Sequence, residues 1–151
     1  RHARRRPSGS VEYADAEEAK TLLAYVEQNL SMNELSEGIS QYENKDFDKA
    51  LAKFTNILKM EQNNAYAYYY RALIYDEQKK NQLAINDYLK VLEFSKEIPI
   101  ANYLLAVDYD SIEKYKEAYK YYNQFISSYT NEDEYLNYAK SRIEELKPYA
   151  S

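Results

Sequence analysis

Three alanines, Ala50, Ala84 and Ala118, stand 34 residues apart, and the residues around them recur at the same interval. Four positions after each comes an aromatic ring, Phe54, Tyr88 or Tyr122, and eight positions after comes Leu58, Leu92 or Ile126. Twelve positions before lies another small residue, Gly38, Ala72 or Ala106. A fixed period of this length means a stack of similar units, each burying its apolar face against its neighbours. Only two glycines and three prolines punctuate the chain, too few for the frequent turns of an all-β protein. Each period therefore reads as two helices. Small residues let their axes approach, and the rings fill the space around the crossing.

Local signals place the helix ends. Ser31 and Glu34 form a capping-box pattern, Asn64 is a cap for a helix opening at Ala65, and Pro99 suits the first turn of the next. Asn131, followed by acids, is the expected cap of a last helix that stops at Pro148. Before the repeats, residues 15–30 carry helical apolar spacing at Ala19, Leu22, Leu23, Val26 and Leu30. The expected organisation is a basic tail or expression remnant over 1–10 and a single domain over 11–151. That domain comprises an N-terminal helix 15–30, repeats 31–64, 65–98 and 99–130, and a capping helix 132–147.

Composition narrows the chemistry. There is no cysteine, and the lone histidine, His2, sits in the tail, so thiolate and histidine metal sites and a Ser-His-Asp relay in the body are excluded. No glycine-rich phosphate loop is present. Carboxylates such as Asp76/Glu77, Asp108/Asp110 and Glu144/Glu145 read as solvated faces. The expectation is no enzyme, no cofactor and no metal. Four of the six arginines lie in the first ten residues, and removing their +4 from the chain's −5 leaves −9 on the remainder. A body this acidic repels phosphate, so no nucleic-acid binding is expected from it. No apolar run reaches membrane-spanning length.

These residues together resemble the tetratricopeptide (TPR) family, whose 34-residue helix–turn–helix unit carries a Trp–Leu-Gly–Tyr–Ala–Phe–Pro pattern. Residues 31–130 cover three units. Tyr68, Ala72, Tyr75, Ala84 and Tyr88 fill the Trp, Gly, Tyr, Ala and Phe places of the second; Ala106, Tyr109, Tyr115, Ala118 and Tyr122 match in the third; Gly38, Phe47, Ala50 and Phe54 match in the first. Gln41 stands where an aromatic is usual, and Gln62, Lys96 and Thr130 replace the closing proline. The resemblance implies an all-α, right-handed α-solenoid: three TPR units, an N-terminal helix and a C-terminal capping helix. One helix, three units and a closing helix also resembles, in architecture, the small TPR chaperones of type III secretion.

The segment "AYAYYYRALIY" (65–75) carries two apolar faces. Tyr68, Ala72 and Tyr75 share one, the repeat's own core, and Tyr66, Tyr69, Tyr70 and Leu73 share the other at helical spacing. Met32, Leu35, Ser36 and Ile39, and then Ile100, Tyr103, Leu104 and Val107, occupy the same places in the neighbouring units. In TPR proteins such positions line a concave groove for peptides. The implied peptide-binding set is Leu35, Ile39, Tyr66, Tyr69, Tyr70, Leu73, Tyr103, Leu104 and Val107, with an acidic rim of Glu43, Asp76, Glu77 and Asp110. TPR proteins that hold the C-terminal carboxylate of heat-shock chaperones use Lys, Asn and Arg in these places, and none stands here. The expected partner is a protein segment with apolar anchors and basic flanks, bound by an adaptor or chaperone-like scaffold. The alternative is a self-association module whose groove is filled by its own flanking helix or by a second protomer, as a homodimer. Lys, Asn, Ile and Tyr usage with scarce Arg suggests an AT-rich bacterial genome. The expected compartment is the cytoplasm, or the periplasm had a signal been removed.

Overall fold

The helical patterning of the chain is realised along its length in the computed structural model, which describes residues 10–151. Among these, α1 spans Ser10–Glu43, α2 Phe47–Met60, α3 Ala65–Glu77, α4 Asn81–Phe94, α5 Ile100–Ser111, α6 Tyr115–Ser128 and α7 Glu134–Leu146, followed by a short 3-10 turn, Lys147–Tyr149. Each helix packs on its sequence neighbours, and α1 also touches α3. The result is an all-α solenoid in which α1, α3 and α5 are the first helices of successive pairs and α2, α4 and α6 the second.

The apolar interior follows that order as three consecutive clusters, one per pair. Ala50, Ala84 and Ala118 are fully buried, as are the rings of Phe54, Tyr88 and Tyr122. The crossing in the first pair leaves no room for a side chain on its first helix. A Cβ added at Gly38 would lie 2.7 Å from Cε1 of Phe54, so this position takes only glycine unless the ring shifts. The turn inside each pair is built identically. Lys45, Lys79 and Glu113, 34 residues apart, take left-handed φ of 64°, 58° and 62°. In each, two backbone N–H groups return to the last carbonyls of the first helix, as in Lys79 N–H to Asp76 O and Lys80 N–H to Tyr75 O.

Two expected helix ends are corrected. No break occurs near residue 31: α1 runs through it, and Ser31 lies buried inside the helix with its Oγ unpartnered, so the capping box does not form. No glycine or proline stands between Ser10 and Glu37, and one interior serine costs a helix only tenths of a kcal/mol. The last helix starts at Glu134 rather than 132, because Asp133, not Asn131, is its cap. The Asp133 carboxylate accepts from the N–H groups of Tyr135 and Leu136 and from the Tyr129 hydroxyl. Asn64 caps α3 as read, accepting from Ala67 N–H at 3.0 Å.

The first part of α1 leaves its apolar stripe uncovered. Leu22, Leu23, Val26 and Leu30 are all half exposed or more, so this segment does not fill the groove. No helix among the described residues is long and apolar enough to cross a membrane. The basic tail, save Ser10, lies outside the described residues.

Candidate peptide groove

The second face of α3 is aligned with its counterparts on α1 and α5. Leu35, Ile39, Tyr69, Tyr70, Leu73, Tyr103, Leu104 and Val107 are half-buried, whereas Tyr66 is 48% exposed. The half-burial has a cause that the two-faced reading of α3 did not contain. Each of these residues except Tyr66 also packs on one of the three core clusters. Tyr70 lies between Tyr42 and Phe54, with ring centroids 5.7 and 5.8 Å away. Tyr103 meets Phe125 at 5.3 Å and Tyr135 at 5.2 Å. Burial pushes the Tyr69 hydroxyl up to about 12 and raises Tyr70 and Tyr103 too. Tyr70 and Tyr103 thus pack on rings of neighbouring helices while keeping part of their surface exposed.

Three clefts follow this face. The first, ≈ 350 Å³, lies on α1 among Met32, Leu35, Ser36, Ile39, Ser40 and Glu43. The second, ≈ 420 Å³, lies between α3 and α5 and is lined by Asp76, Lys79, Asn81, Leu104, Val107, Asp108 and Ser111. The third, ≈ 210 Å³, opens between α5 and α7 among Val107, Asp110, Ser111, Tyr122, Tyr138 and Arg142. Tyr138 stands 34 residues after Leu104, so α7 extends the face as a further first helix. That register shift was the signal for Tyr138, which the expected set omits.

The acidic rim divides. Glu43 lines the first cleft and Glu77 is exposed. Asp110 is not free: Arg142 Nε and Nη2 donate to its two oxygens at 2.7 and 2.8 Å, and the Tyr122 hydroxyl donates at 3.2 Å. Asp76 accepts from the Tyr88 hydroxyl at 2.6 Å. The reading of Asp108 as a solvated face is overturned. It is 5% exposed, no donor from another residue reaches its Oδ2, and burial, then the hydrogen bond and charge of Asp76, push its carboxyl up to about 9. Asp108 is held inward because its position on α5 is that of Ile74 on α3, which is fully buried. Both arginines outside the tail serve as two-pronged clamps, Arg142 on Asp110 and Arg71 on Asp87.

Residues 35–99 match the family model described as tetratricopeptide repeat. These residues carry the tetratricopeptide repeat, and the solenoid as a whole has the TPR fold. Its fold is similar to several solved TPR structures. The Yersinia enterocolitica type III secretion chaperone SycD, in complex with a peptide of the translocator YopD, matches with a TM-score of 0.71 at 14% identity, over 82% of this chain and 96% of that one. The Arabidopsis OM64 TPR domain matches with a TM-score of 0.70 at 23% identity, over 79% and 98%. The first TPR of Spaghetti (RPAP3), bound to the HSP90 peptide SRMEEVD, matches with a TM-score of 0.68 at 19% identity, over 80% and 94%. No curated protein matches the sequence. The cations lining the three clefts are Lys79 and Arg142, and Arg142 is engaged by Asp110.

Proposed function

We propose that the chain is a non-enzymatic protein-interaction module, an adaptor or chaperone-like scaffold, that binds a peptide segment along the inner face of α1, α3, α5 and α7. The observation that carries this is the row of half-buried Leu, Ile, Val and Tyr side chains across α1, α3 and α5, continued by the exposed Tyr138 on α7, with clefts along it. Tyrosine suits such a surface, since its ring buries area at low entropy cost and its hydroxyl tolerates water. Two proteins of similar fold are bound to peptides in their structures, which supports the reading. Acidic residues among apolar ones favour a ligand with apolar anchors and basic flanks, and disfavour a ligand read by its carboxylate.

Peptide display against the immobilised chain tests this. Recovered sequences should pair two or more large apolar residues with Lys or Arg. Tyr66→Ala and Leu104→Ala should each weaken a selected peptide about tenfold, a loss typical of an interface anchor. Leu83→Ala, exposed on α4, should change nothing. A selected peptide sensitive to Leu83 and indifferent to Tyr66 and Leu104 would move the site to the outer face.

The exposed stripe Leu22, Leu23, Val26 and Leu30 of α1 supports a second reading, self-association. Sedimentation of the free chain decides it: a concentration-dependent dimer abolished by Leu23→Glu supports self-association, and a monomer rejects it.

A further inference from the structure

The junctions between successive first helices use the same three positions, and each junction fills them differently. Between α1 and α3 the trio is Phe54, Tyr42 and Ile74, with no charge. Between α5 and α7 it is Tyr122, Asp110 and Arg142, a hydrogen-bonded ion pair. Between α3 and α5 it is Tyr88, Asp76 and Asp108, with an acid where the next junction has its arginine. The middle junction therefore has an acceptor without a cation. No donor from another residue reaches Oδ1 of Asp76 or Oδ2 of Asp108, both buried, so the two carboxyls are satisfied only by each other through the Asp108 proton, and both residues line the ≈ 420 Å³ cleft. Buried carboxyls are normally held by donors from other residues, so two that can satisfy each other only by keeping a proton, at a cleft wall, need an explanation.

We infer that the Asp76–Asp108 pair is a binding site for a cationic side chain of a bound segment, an arginine above all, which enters the cleft between α3 and α5 as Arg142 enters the next junction. The inference deepens the peptide-binding reading and rests on it. Geometry favours a guanidinium, whose flat fork engages two carboxylates at once and carries its own apolar stem past Leu104 and Val107. Among the described residues no cluster of three or more His, Cys, Asp or Glu side chains is placed to hold a metal ion, so an organic cation fits better. Tyr88 from α4, Tyr42 from α1 and Lys79 at the cleft mouth are the titratable groups near the pair. Of these only Lys79 is a cation, and it makes no ion pair with either carboxylate. Burial and the neighbouring Asp76 favour the protonated form of Asp108, so an entering cation displaces a proton and binds more tightly as the pH rises.

The test uses the full chain with carbon-13 in its aspartate carboxyls, titrated with acetyl-arginine methylamide and, separately, with its neutral isostere acetyl-citrulline methylamide. The arginine probe should move the Asp108 carboxyl signal saturably, with a midpoint on the order of millimolar, as one ion-paired contact allows. The midpoint should fall at least about fivefold from pH ~6 to pH ~8 because a proton leaves. The citrulline probe should give no saturation, and Asp76→Asn should abolish the response at Asp108. In Asp108→Asn the Asp76 carboxyl signal should likewise stay unmoved by the arginine probe. No saturable movement, or equal movement with both probes, overturns the site. A response seen only in Lys79→Gln also overturns it, since Lys79 is then the resident cation. If selected apolar peptides bind while the arginine probe does not, only the cation site is lost and the groove reading stands.

Discussion

The α3–α5 and α5–α7 junctions are made from the same positions one repeat apart, yet the second is stitched by an ion pair and the first holds two facing acids. The backbone around them is the same, down to the left-handed residue in each intervening turn. A solenoid's stability is close to the sum of its units and of the contacts between neighbours, so one junction can carry a functional cost without unravelling the rest. The comparison separates residues that hold the stack from residues that hold the stack less well than their equivalents do. In this chain the second kind lies at the α3–α5 junction, on the wall of the cleft lined by Leu104 and Val107.

The largest expected effect comes from breaking the stitched junction. Arg142→Ala leaves Asp110 unpaired with its side chain only 12% exposed, and should cost about 2–4 kcal/mol in a urea melt, since removing one partner strands a desolvated charge. Arg142→Lys should recover only part, because an ammonium lacks the fork. A loss under about 0.5 kcal/mol for Arg142→Ala would mean that this pair behaves as a surface one and that the junctions do not differ energetically.

The middle junction should respond in the opposite direction. Asp108→Asn removes a buried carboxyl from beside Asp76 and should stabilise by about 1–3 kcal/mol at pH ~8. The sign of the pH dependence follows from the raised Asp108 carboxyl, about 9 in the fold against about 4 in the unfolded chain. Between those values the folded state binds the extra proton, so stability is greatest at the acidic end and declines as pH rises through the window. Asp108→Asn should flatten that decline, measured as urea midpoints across the window. A wild-type midpoint that climbs with pH there contradicts the buried-acid assignment.

Ala84→Leu asks whether the junctions differ by charge or by looser packing of the central pair. Ala84 is fully buried, and overpacking it should cost about 1–3 kcal/mol, as much as Ala118→Leu, while Ala19→Leu on the exposed part of α1 should cost nothing measurable. A much smaller loss at Ala84 than at Ala118 would locate the difference in packing.

The smallest effect concerns the turns that the junctions share. Lys79→Gly and Glu113→Gly relieve a left-handed backbone at a residue with a Cβ, and each should gain at most about 1 kcal/mol, offset by the looser unfolded chain that glycine brings. Equal gains sharpen the comparison by showing that the backbone contributes nothing to it.

The division between what is legible in the chain and what is not follows the range of the interaction. The 34-residue period exposes the helix pairs and the core, because Ala84, Tyr88 and their equivalents are tied by spacing within one unit. The turn residues Lys45, Lys79 and Glu113 carry no glycine signal, although their own spacing repeats. The double duty of Tyr69, Tyr70 and Tyr103 escapes a helical wheel, which sorts one helix into faces and does not show the neighbours on both sides. The buried acids escape for the same reason, since Asp110 finds its arginine 32 residues away on another helix. Comparing position 74 with 108 and 142 puts Ile, Asp and Arg in one equivalent position of successive units, a difference visible in the spacing alone.

The central claim is that a ligand segment lies along the inner face, across the α3–α5 junction. Intermolecular nuclear Overhauser effects between the full chain and a display-selected peptide test it most directly. The account predicts contacts from the peptide's apolar side chains to Tyr66, Leu73, Leu104 and Val107, with its basic residue nearest Asp76 and Asp108. Contacts confined to Leu83 and Phe94 on the outer face, or to Leu22, Leu23 and Val26 on the projecting part of α1, would contradict it.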